Sequence, residues 1–335
     1  MRHTTINDLA GLLKLSPSTV SRALRNHPDI SQKTKDKVLA IAADTNYQPN
    51  LIAQSLQNRR SNNIGVIVPE IRNTFFSTVI SGIEEVAYEA GYIIMVCQSG
   101  DTYQREILNT RALTANRVAG MLVSISQETT DFSHLKNVMD QGIPLVLFDR
   151  VAEQVPVSKV IVDDFTGSYA AVQHLIERGY KRIAHLAGSS TLYVSHKRCE
   201  GYKAALLKHN MEIRPEYIVT GGYHEKDGRK GAHYFLNLME PPDAIFAVND
   251  PVALGAFLHL QDKGISIPDE MALVGFSNNP NTTLVRPRLT TVNQPAFEIG
   301  RAAAGLLLKT FTIEPEKQEI ETIILETELV VRESS

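Results

Sequence analysis

The sequence predicts an α/β core of two parallel sheets, preceded by a small all-α head. After residue 63, near-continuous apolar runs alternate with segments of helical spacing, which is typical of strands buried on both faces of a parallel sheet. Before that point the chain shows only short helical patterns and helix-start signals. At 335 residues the chain suggests two or three domains.

Eight apolar runs define the predicted strands, and eight strands fit two sheets better than one. They occupy residues 64–68, 93–96, 120–123, 144–148, 160–162, 183–187, 244–248 and 272–276. The predicted helices between them cover 75–90, 103–115, 131–141, 164–178, 196–210, 226–239 and 250–263. Each run ends in polar residues. Because ligands of open α/β sheets bind beyond the carboxyl ends of the strands, we expect a binding site along that edge.

Three helices are predicted in the head. Thr5 with Asp8 three positions later resembles a capping box, Ser16 is an N-cap with Pro17 at the first helical position, and Ser31 caps the third helix. The tight connection between the first two helices has helix-turn-helix spacing. The predicted inner faces of the first and third helices are formed by Leu9, Leu12, Leu13, Val38, Leu39, Ile41 and Ala42.

The second helix has the properties of a DNA recognition helix. Helical spacing directs Val20, Ala23 and Leu24 inward and leaves a short, hydroxyl-rich face outside. That outer face consists of Pro17, Ser18, Ser21 and Arg22, and an arginine can donate two hydrogen bonds to a guanine edge. Any small helical domain with a basic surface is the alternative interpretation.

The charge distribution favours a nucleic-acid partner for the head. The whole chain has a net charge of −3, but residues 1–60 contain nine Lys and Arg against four Asp, which leaves the remainder acidic. A basic head on an acidic body is typical of a DNA-binding module joined to a domain of another kind. Within the following segment, Leu56 stands among polar residues. It would either wedge between base pairs in the minor groove or pack on the neighbouring domain.

Other classes of protein find little support. Cys97 and Cys199 have no metal-ligand spacing, and no apolar stretch is long enough to span a bilayer, so we expect a cytoplasmic protein without metal or cofactor. An enzyme is disfavoured because no dinucleotide-binding or P-loop motif occurs. An exported sugar-binding protein would not carry a basic helical head. A ligand-controlled transcription factor accounts for both halves of the chain.

The head and core motifs together resemble LacI/GalR-type repressors over essentially the whole chain. The likeness rests on residues 5–10, 15–24, 30–34, 46–50 and 53–56 in the head. In the core it rests on residues 64–66, 75–76, 149–150, 179–184, 198–202, 249–250, 253–255, 274–276 and 289–295. The resemblance implies a homodimeric repressor on a palindromic operator, with paired hinge helices in the central minor groove.

The resemblance also implies domain boundaries. Residues 1–47 would form the head, 48–62 the hinge helix and linker, and 63–335 a core of two Rossmann-like subdomains similar to periplasmic binding proteins. The first subdomain would comprise about 63–160 and 293–320, and the second about 161–292 and 321–331. The chain would cross between them three times.

The family's DNA-contacting positions match residues of the head and hinge. Pro17, Ser18 and Arg22 match base-reading positions, and Pro17 departs from the pattern because it can make only an apolar contact. Thr19, Ser21, Asn26 and Thr34 match phosphate contacts. The full set implied to bind DNA is Thr5, Ser16, Pro17, Ser18, Thr19, Ser21, Arg22, Asn26, Thr34, Asn50, Ala53 and Leu56.

The family's effector site maps to the predicted edge of the core. Its charged and amide groups would bind hydroxyls and its aromatic rings a sugar face, which favours a sugar or sugar derivative over a purine-like corepressor. Ser277 stands where sugar-binding members commonly have Asp. The implied effector-binding residues are Asn73, Phe75, Asp149, Arg198, Tyr223, Asn249, Asp250 and Ser277.

Overall fold

A computed structural model describes residues 4–24, 26–45, 47, 61–314 and 317–335. The chain divides into two compact units, Met1–Ser61 and Asn62–Ser335. The first unit contains helices α1 (Ile6–Leu13), α2 (Pro17–Leu24) and α3 (Gln32–Asp44). The predicted hinge positions Asn50, Ala53 and Leu56 lie outside the described residues.

Side-chain caps fix the starts of the three head helices. Thr5 and Asp8 form the predicted capping box, and the Ser31 hydroxyl accepts a hydrogen bond from the Thr34 N–H. The Ser16 hydroxyl accepts a hydrogen bond from the Thr19 N–H at 3.1 Å, as expected of an N-cap. These local signals were readable from the sequence because a cap involves residues only three positions apart.

The head core is smaller than the apolar pattern predicts. It buries Leu9, Ala10, Val20, Ala23, Val38 and Ala42. The placement of Leu12 and Leu39 in this core was wrong, since their side chains are 62% and 51% exposed. Leu12 lies well off the α1 face that holds Leu9 and Ala10, and Leu39 follows the buried Val38 by one residue, which is 100° around the helix.

The first sheet of the core is parallel throughout. It contains β1 (Asn63–Val68), β2 (Ile93–Gln98), β3 (Gly120–Val123), β4 (Leu145–Phe148), β5 (Ser158–Val162) and β11 (Thr322–Leu325), in the order β11-β5-β4-β3-β1-β2. Its helices are α4 (Thr74–Glu89), α5 (Tyr103–Ala115), α6 (Ser133–Asp140) and α11 (Ala296–Thr312). The buried strands β3 and β4 correspond to predicted apolar runs, because each lies between two other strands and under helices.

The second sheet has the same arrangement with one antiparallel edge. It contains β6 (Ile183–Gly188), β7 (Ile218–Thr220), β8 (Ala244–Ala247), β9 (Ala272–Ser277), β10 (Thr290–Asn293) and β12 (Glu328–Val330), in the order β12-β10-β9-β8-β6-β7. Only β12 runs antiparallel to its neighbour, β10. The helices are α7 (Asp164–Glu177), α8 (Tyr193–Lys208), α9 (Glu225–Leu236) and α10 (Asp250–Asp262).

Three crossings of the chain join the two subdomains. They follow β5, β10 and β11, so each subdomain is assembled from discontinuous segments. The expectation that all of 321–331 lies in the second subdomain is contradicted, because β11 pairs in parallel with β5 of the first sheet. The crossing occurs at Glu326-Thr327, where the Thr327 hydroxyl donates to the Asp163 carbonyl at 3.2 Å. An apolar four-residue strand is compatible with either sheet edge, and only pairing decides between them.

Pairs of glycines bring helices into close contact in both subdomains. A Cβ at Gly300 of α11 would lie 2.1 Å from the Val79 carbonyl oxygen of α4, and one at Gly82 would lie 2.1 Å from the Phe297 carbonyl oxygen. In the second subdomain, Gly228 of α9 and Gly255 of α10 form the same arrangement. No helix within the described ranges is long and apolar enough to cross a membrane.

Candidate functional site

Helix α2 presents the polar face that the sequence predicts. Pro17, Ser18 and Arg22 are exposed, whereas Val20 and Ala23 are buried against the other two helices. The Ser16 hydroxyl lies 2.8 Å from the hydroxyls of both Ser18 and Thr19. These contacts order the hydroxyls at the start of the helix, where N–H groups and side-chain donors suit a phosphate or a base edge.

The other predicted DNA contacts in the described head lie at the starts of α1 and α3, within α2 and in the loop after α2. Thr5 and Thr34 take part in capping interactions, and Ser21 is half-buried on α2. Asn26 has a left-handed backbone (φ 55°), and the ammonium group of Lys35 donates to its side-chain oxygen at 2.8 Å. Lys35 was not predicted, although it is the buried cation that fixes the loop after α2.

A cavity at the carboxyl edge of the two sheets brings most of the predicted effector residues together. It lies between the subdomains. Seven of the eight predicted residues line it, namely Asn73, Phe75, Asp149, Arg198, Tyr223, Asn249 and Ser277. We call this space the inner cavity. That these residues bind an effector remains a prediction.

Arg198 is held rigidly at the wall of the inner cavity. Its Nε donates to the Asp164 carboxylate at 2.8 Å and its Nη1 to the Val248 carbonyl at 2.5 Å, while the guanidinium stacks 3.7 Å from the centre of the Phe276 ring. Burial raises the pKa of Asp164 to about 6, and the Arg198 charge opposes that rise. A fixed and desolvated guanidinium of this kind is a strong donor to hydroxyl or carboxylate oxygens.

Asp149 supplies a buried acceptor opposite these donors. It follows β4 with a left-handed backbone (φ 56°) and is 8% exposed. Burial raises the pKa of its carboxyl, and the charges of Arg150 and Arg198 and a hydrogen bond from the Gln294 side chain lower it. Ser277 after β9 also has a positive φ, of 107°. Strained backbone at two strand ends facing one cavity is typical of functional sites.

Aromatic rings and amides complete the lining. The Tyr223 hydroxyl is hydrogen-bonded to the Ser195 hydroxyl, and burial raises the pKa of Tyr223. The Asn249 side chain donates to the Tyr223 carbonyl at 3.0 Å and accepts from the Val252 N–H at 2.9 Å, so it caps α10. Asn73 likewise caps α4 by accepting from the Phe75 N–H.

Asp250 is the predicted effector residue that does not line the inner cavity. Its side chain points into the second sheet, where it accepts from the Thr291 hydroxyl at 2.6 Å and from the Asn279 N–H at 2.6 Å. Burial raises its pKa to about 7, against the effect of these hydrogen bonds. Asp250 therefore joins α10 to β9 and β10, which is a structural role.

Four lining residues were missed by sequence reasoning, namely Phe76, Arg150, Val194 and Gln294. Arg150 forms a buried ion pair with Asp101 at 2.5 Å and lies 4.4 Å from the centre of the Tyr223 ring. Arg150 and Gln294 both follow the end of a strand, and this position is the signal that could have revealed them.

Direct contacts across the cleft hold the two subdomains together. The Thr191 hydroxyl of the second subdomain donates to the Gln127 carbonyl of the first at 2.6 Å, and His224 lies 3.5 Å from the Glu70 carboxylate. With the stacking of Arg150 on Tyr223, these contacts describe a closed cleft.

Comparison with protein families identifies both parts of the chain. Residues 5–50 match the family of bacterial regulatory proteins of the lacI type, and residues 61–332 match the periplasmic binding proteins and sugar binding domain of the LacI family. The chain belongs to the LacI family. The resemblance drawn from its motifs is thus confirmed, as is the fold of two parallel-sheet subdomains behind a helical head.

Curated relatives of this LacI-family chain are transcriptional repressors. It is 34% identical over 334 residues to the probable repressor ExuR of Bacillus subtilis, covering 98% of both chains. It is also 34% identical over 306 residues to the repressor CytR of Escherichia coli K12, covering 91% of this chain and 89% of CytR. This LacI-family protein is accordingly a DNA-binding transcriptional repressor.

A solved structure shows the same architecture bound to DNA. The Lac repressor dimer in complex with its operator and the anti-inducer ONPF superposes with a TM-score of 0.86 at 25% identity, and 99% of each chain is covered.

Proposed function

We propose that this LacI-family repressor binds a palindromic operator as a homodimer, and that a sugar or sugar derivative in the inner cavity controls this binding. The family match of the core to a sugar binding domain and the likeness to an operator-bound dimer support the proposal. In the head, Pro17, Ser18 and Arg22 would contact base edges because they are the exposed residues of the recognition helix.

One observation carries the ligand part of the proposal. The inner cavity contains polar groups that are buried but lack a full set of hydrogen bonds. The Asp149 carboxyl is buried, and burial raises its pKa although the charges of Arg150 and Arg198 and a hydrogen bond from the Gln294 side chain oppose that rise. Unsatisfied buried polar atoms are costly, so a cavity lined by them is built for a polar ligand that completes their hydrogen bonds.

The arrangement of donors and acceptors suits a saccharide better than a flat nucleobase. Arg198 and Asn249 offer fixed donors, Asp149 offers an acceptor, and Phe75 and Tyr223 offer aromatic surface. A sugar hydroxyl donates one hydrogen bond and accepts others, so it can bind the carboxylate and the guanidinium together. Repression would be controlled because the ligand favours one relative arrangement of the two subdomains.

A thermal-shift screen of the full-length protein tests the proposal. Sugars, sugar phosphates and purines are compared, and a ligand at one hundred times its Kd raises the melting temperature by about 5 °C. The hit is then tested for its effect on operator affinity. Asp149→Asn should weaken ligand binding at least about tenfold, and the control Asp131→Asn, outside the cavity, should not. A purine hit that is insensitive to Asp149→Asn would refute the proposal.

A further inference from the structure

A groove on the first subdomain lies outside the cleft between the subdomains. It runs between α5 and α6, has a volume of about 410 Å³, and shares no lining residue with the inner cavity. We call it the helix groove. Its volume falls within the range of about 300–1,000 Å³ that is common for ligand pockets. The helix groove therefore has room for a small molecule apart from the cleft.

Apolar and aromatic side chains from both helices line the helix groove. Ile107 of α5 and Val138 of α6 are among them, together with Tyr103. The Tyr103 ring meets the His134 ring edge-on, with 5.5 Å between the ring centres. Tyr103 begins α5, so this contact marks one end of the groove, and Ile107 lies about one helical turn further along. Apolar surface on both sides suits a flat body such as an aromatic ring.

A buried histidine at this end of the helix groove has a nitrogen atom without a partner. His134 lines the groove and is only 7% exposed. Its Nε2 lies 2.8 Å from the Glu106 carboxylate, which also accepts hydrogen bonds from Ser126 and Thr129, so Nε2 is the donor in this contact. Its Nδ1 is buried and has no hydrogen-bond partner among the described residues. Such an atom is costly, and a ligand in the groove can satisfy it.

Asp131 determines which polar group suits this end. Its carboxylate accepts hydrogen bonds from the Ser133 hydroxyl at 2.6 Å and from the Tyr103 hydroxyl at 3.0 Å, and these bonds lower the pKa of Asp131. The resulting negative charge repels an anionic group of a ligand. A hydroxyl group is neutral, and because it both donates and accepts, it can bond to Nδ1 of His134 in either protonation state of the ring.

Arg111 supplies a positive charge further along the helix groove. It is exposed, lines the groove from α5, and has no hydrogen-bond or ion-pair partner among the described residues. Tyr103 and Arg111 are eight residues apart, which is a rise of about 12 Å, and the arginine side chain can span part of this distance. A guanidinium binds a carboxylate through two parallel hydrogen bonds. The groove thus favours a ligand with a hydroxyl at one end and a carboxylate at the other.

The Glu106 carboxylate connects the helix groove to the cleft. Glu106 is fully buried and accepts hydrogen bonds from both the N–H and the hydroxyl of Ser126. The next residue, Gln127, has the carbonyl that accepts from the Thr191 hydroxyl of the second subdomain at 2.6 Å. A ligand that fixes His134 on Glu106 therefore also fixes the loop that contacts the second subdomain.

On these grounds, we propose that the helix groove is a second ligand site, which binds a hydroxylated aromatic acid and thereby changes operator affinity. The ring of the acid lies against Ile107 and Val138. Its hydroxyl bonds to His134, and its carboxylate binds Arg111. The bound acid stabilises the loop at the cleft and so biases the relative arrangement of the subdomains. This site does not involve the effector of the inner cavity, so the inference does not depend on the proposed function.

Calorimetric titration of the full-length protein tests the binding. The probes are para-hydroxycinnamate and para-hydroxybenzoate, each compared with the acid that lacks the hydroxyl, cinnamate or benzoate. We expect at least one hydroxylated acid to bind about three- to tenfold more tightly than its partner, because only the hydroxyl can bond to His134. Arg111→Gln should weaken this binding at least about tenfold. Lys136→Gln is the matched control, since it removes the same charge from an exposed position of α6 that does not line the groove.

A fluorescence assay of operator binding tests the connection to the cleft. A saturating concentration of the tighter acid should change the operator affinity of the wild type and of Lys136→Gln at least about fivefold, and should leave that of Arg111→Gln unchanged. The inference is wrong if neither hydroxylated acid binds, if Arg111→Gln binds the acid as tightly as the wild type, or if the bound acid does not change operator affinity. In each of these cases the proposed function stands, because its ligand is tested separately through Asp149.

Discussion

Replacing Gly300 by Ala should destabilise the core sharply, although alanine is the better helix former. Gly300 faces α4, and the new Cβ would lie 2.1 Å from the Val79 carbonyl oxygen and 2.9 Å from the Ile83 amide nitrogen. Both obstacles are backbone atoms in the middle of a helix, so they cannot rotate away. Helix α11 would have to move away from α4 by about 1 Å, and this movement would also open a gap along the apolar contact between the two helices.

The expected loss of stability follows from that displacement. Inserting a methyl group into a packed interior costs about 1–3 kcal/mol, and a backbone obstacle places Gly300→Ala near the upper end. For a core of this size, about 3 kcal/mol lowers the melting temperature by roughly 6 °C. A Cβ at Gly305, on the same helix, would meet no heavy atom within 4 Å. Gly305→Ala should therefore stabilise the protein by about 0.5–1 kcal/mol, because only the helix preference changes.

Calorimetric melting of the two variants, without ligand and at one pH, checks the prediction. The two substitutions are chemically identical and five residues apart, so their opposite signs isolate the effect of close packing. Equal shifts of the same sign, or a Gly300→Ala melting temperature within about 1 °C of the wild type, would refute the reasoning about the α4–α11 contact.

Two further predictions concern pH and DNA. Burial lowers the pKa of His185 to about 4 in the folded protein. Below about pH 6.5 the imidazole of the unfolded chain therefore binds a proton that the folded protein does not, and the folded state loses stability as the pH falls further. His185 stacks between Tyr202 and Phe246, so His185→Phe keeps the stacking but removes the titrating group. In denaturant titrations, the free energy of unfolding of the wild type should fall by about 2 kcal/mol relative to that of the variant between pH 7.5 and pH 5. If the difference in unfolding free energy between the two proteins is the same at both pH values, the pKa assignment is wrong. Arg22→Ala should weaken operator binding by about 1–3 kcal/mol and leave binding to unrelated DNA nearly unchanged, as measured by a fluorescence binding assay. Equal losses of affinity for the two kinds of DNA would show that Arg22 contacts phosphate only.

The tertiary structure was needed for the details of the ligand site. Asn249 and Asp250 are adjacent in the sequence and both were predicted to contact the effector, but one lines the inner cavity and the other bonds to Thr291 inside the second sheet. Neighbouring residues at the start of a helix point in directions about 100° apart, and a motif does not say which of them faces the cavity. Gln294 was missed for a different reason, since its place in the lining of the inner cavity depends on contacts between distant segments of the chain.

The sequence by itself determined the caps of the head helices, the polar face of α2, the strand–helix alternation and the family. These features depend on residues a few positions apart or on a pattern repeated along the chain. Only the tertiary structure decided that β11 joins the first sheet, that Leu12 and Leu39 face outward, and that α4 and α11 touch at their glycines. Strand pairing, the direction of a helix face and close packing are set by partners far away in the chain, which local sequence does not specify.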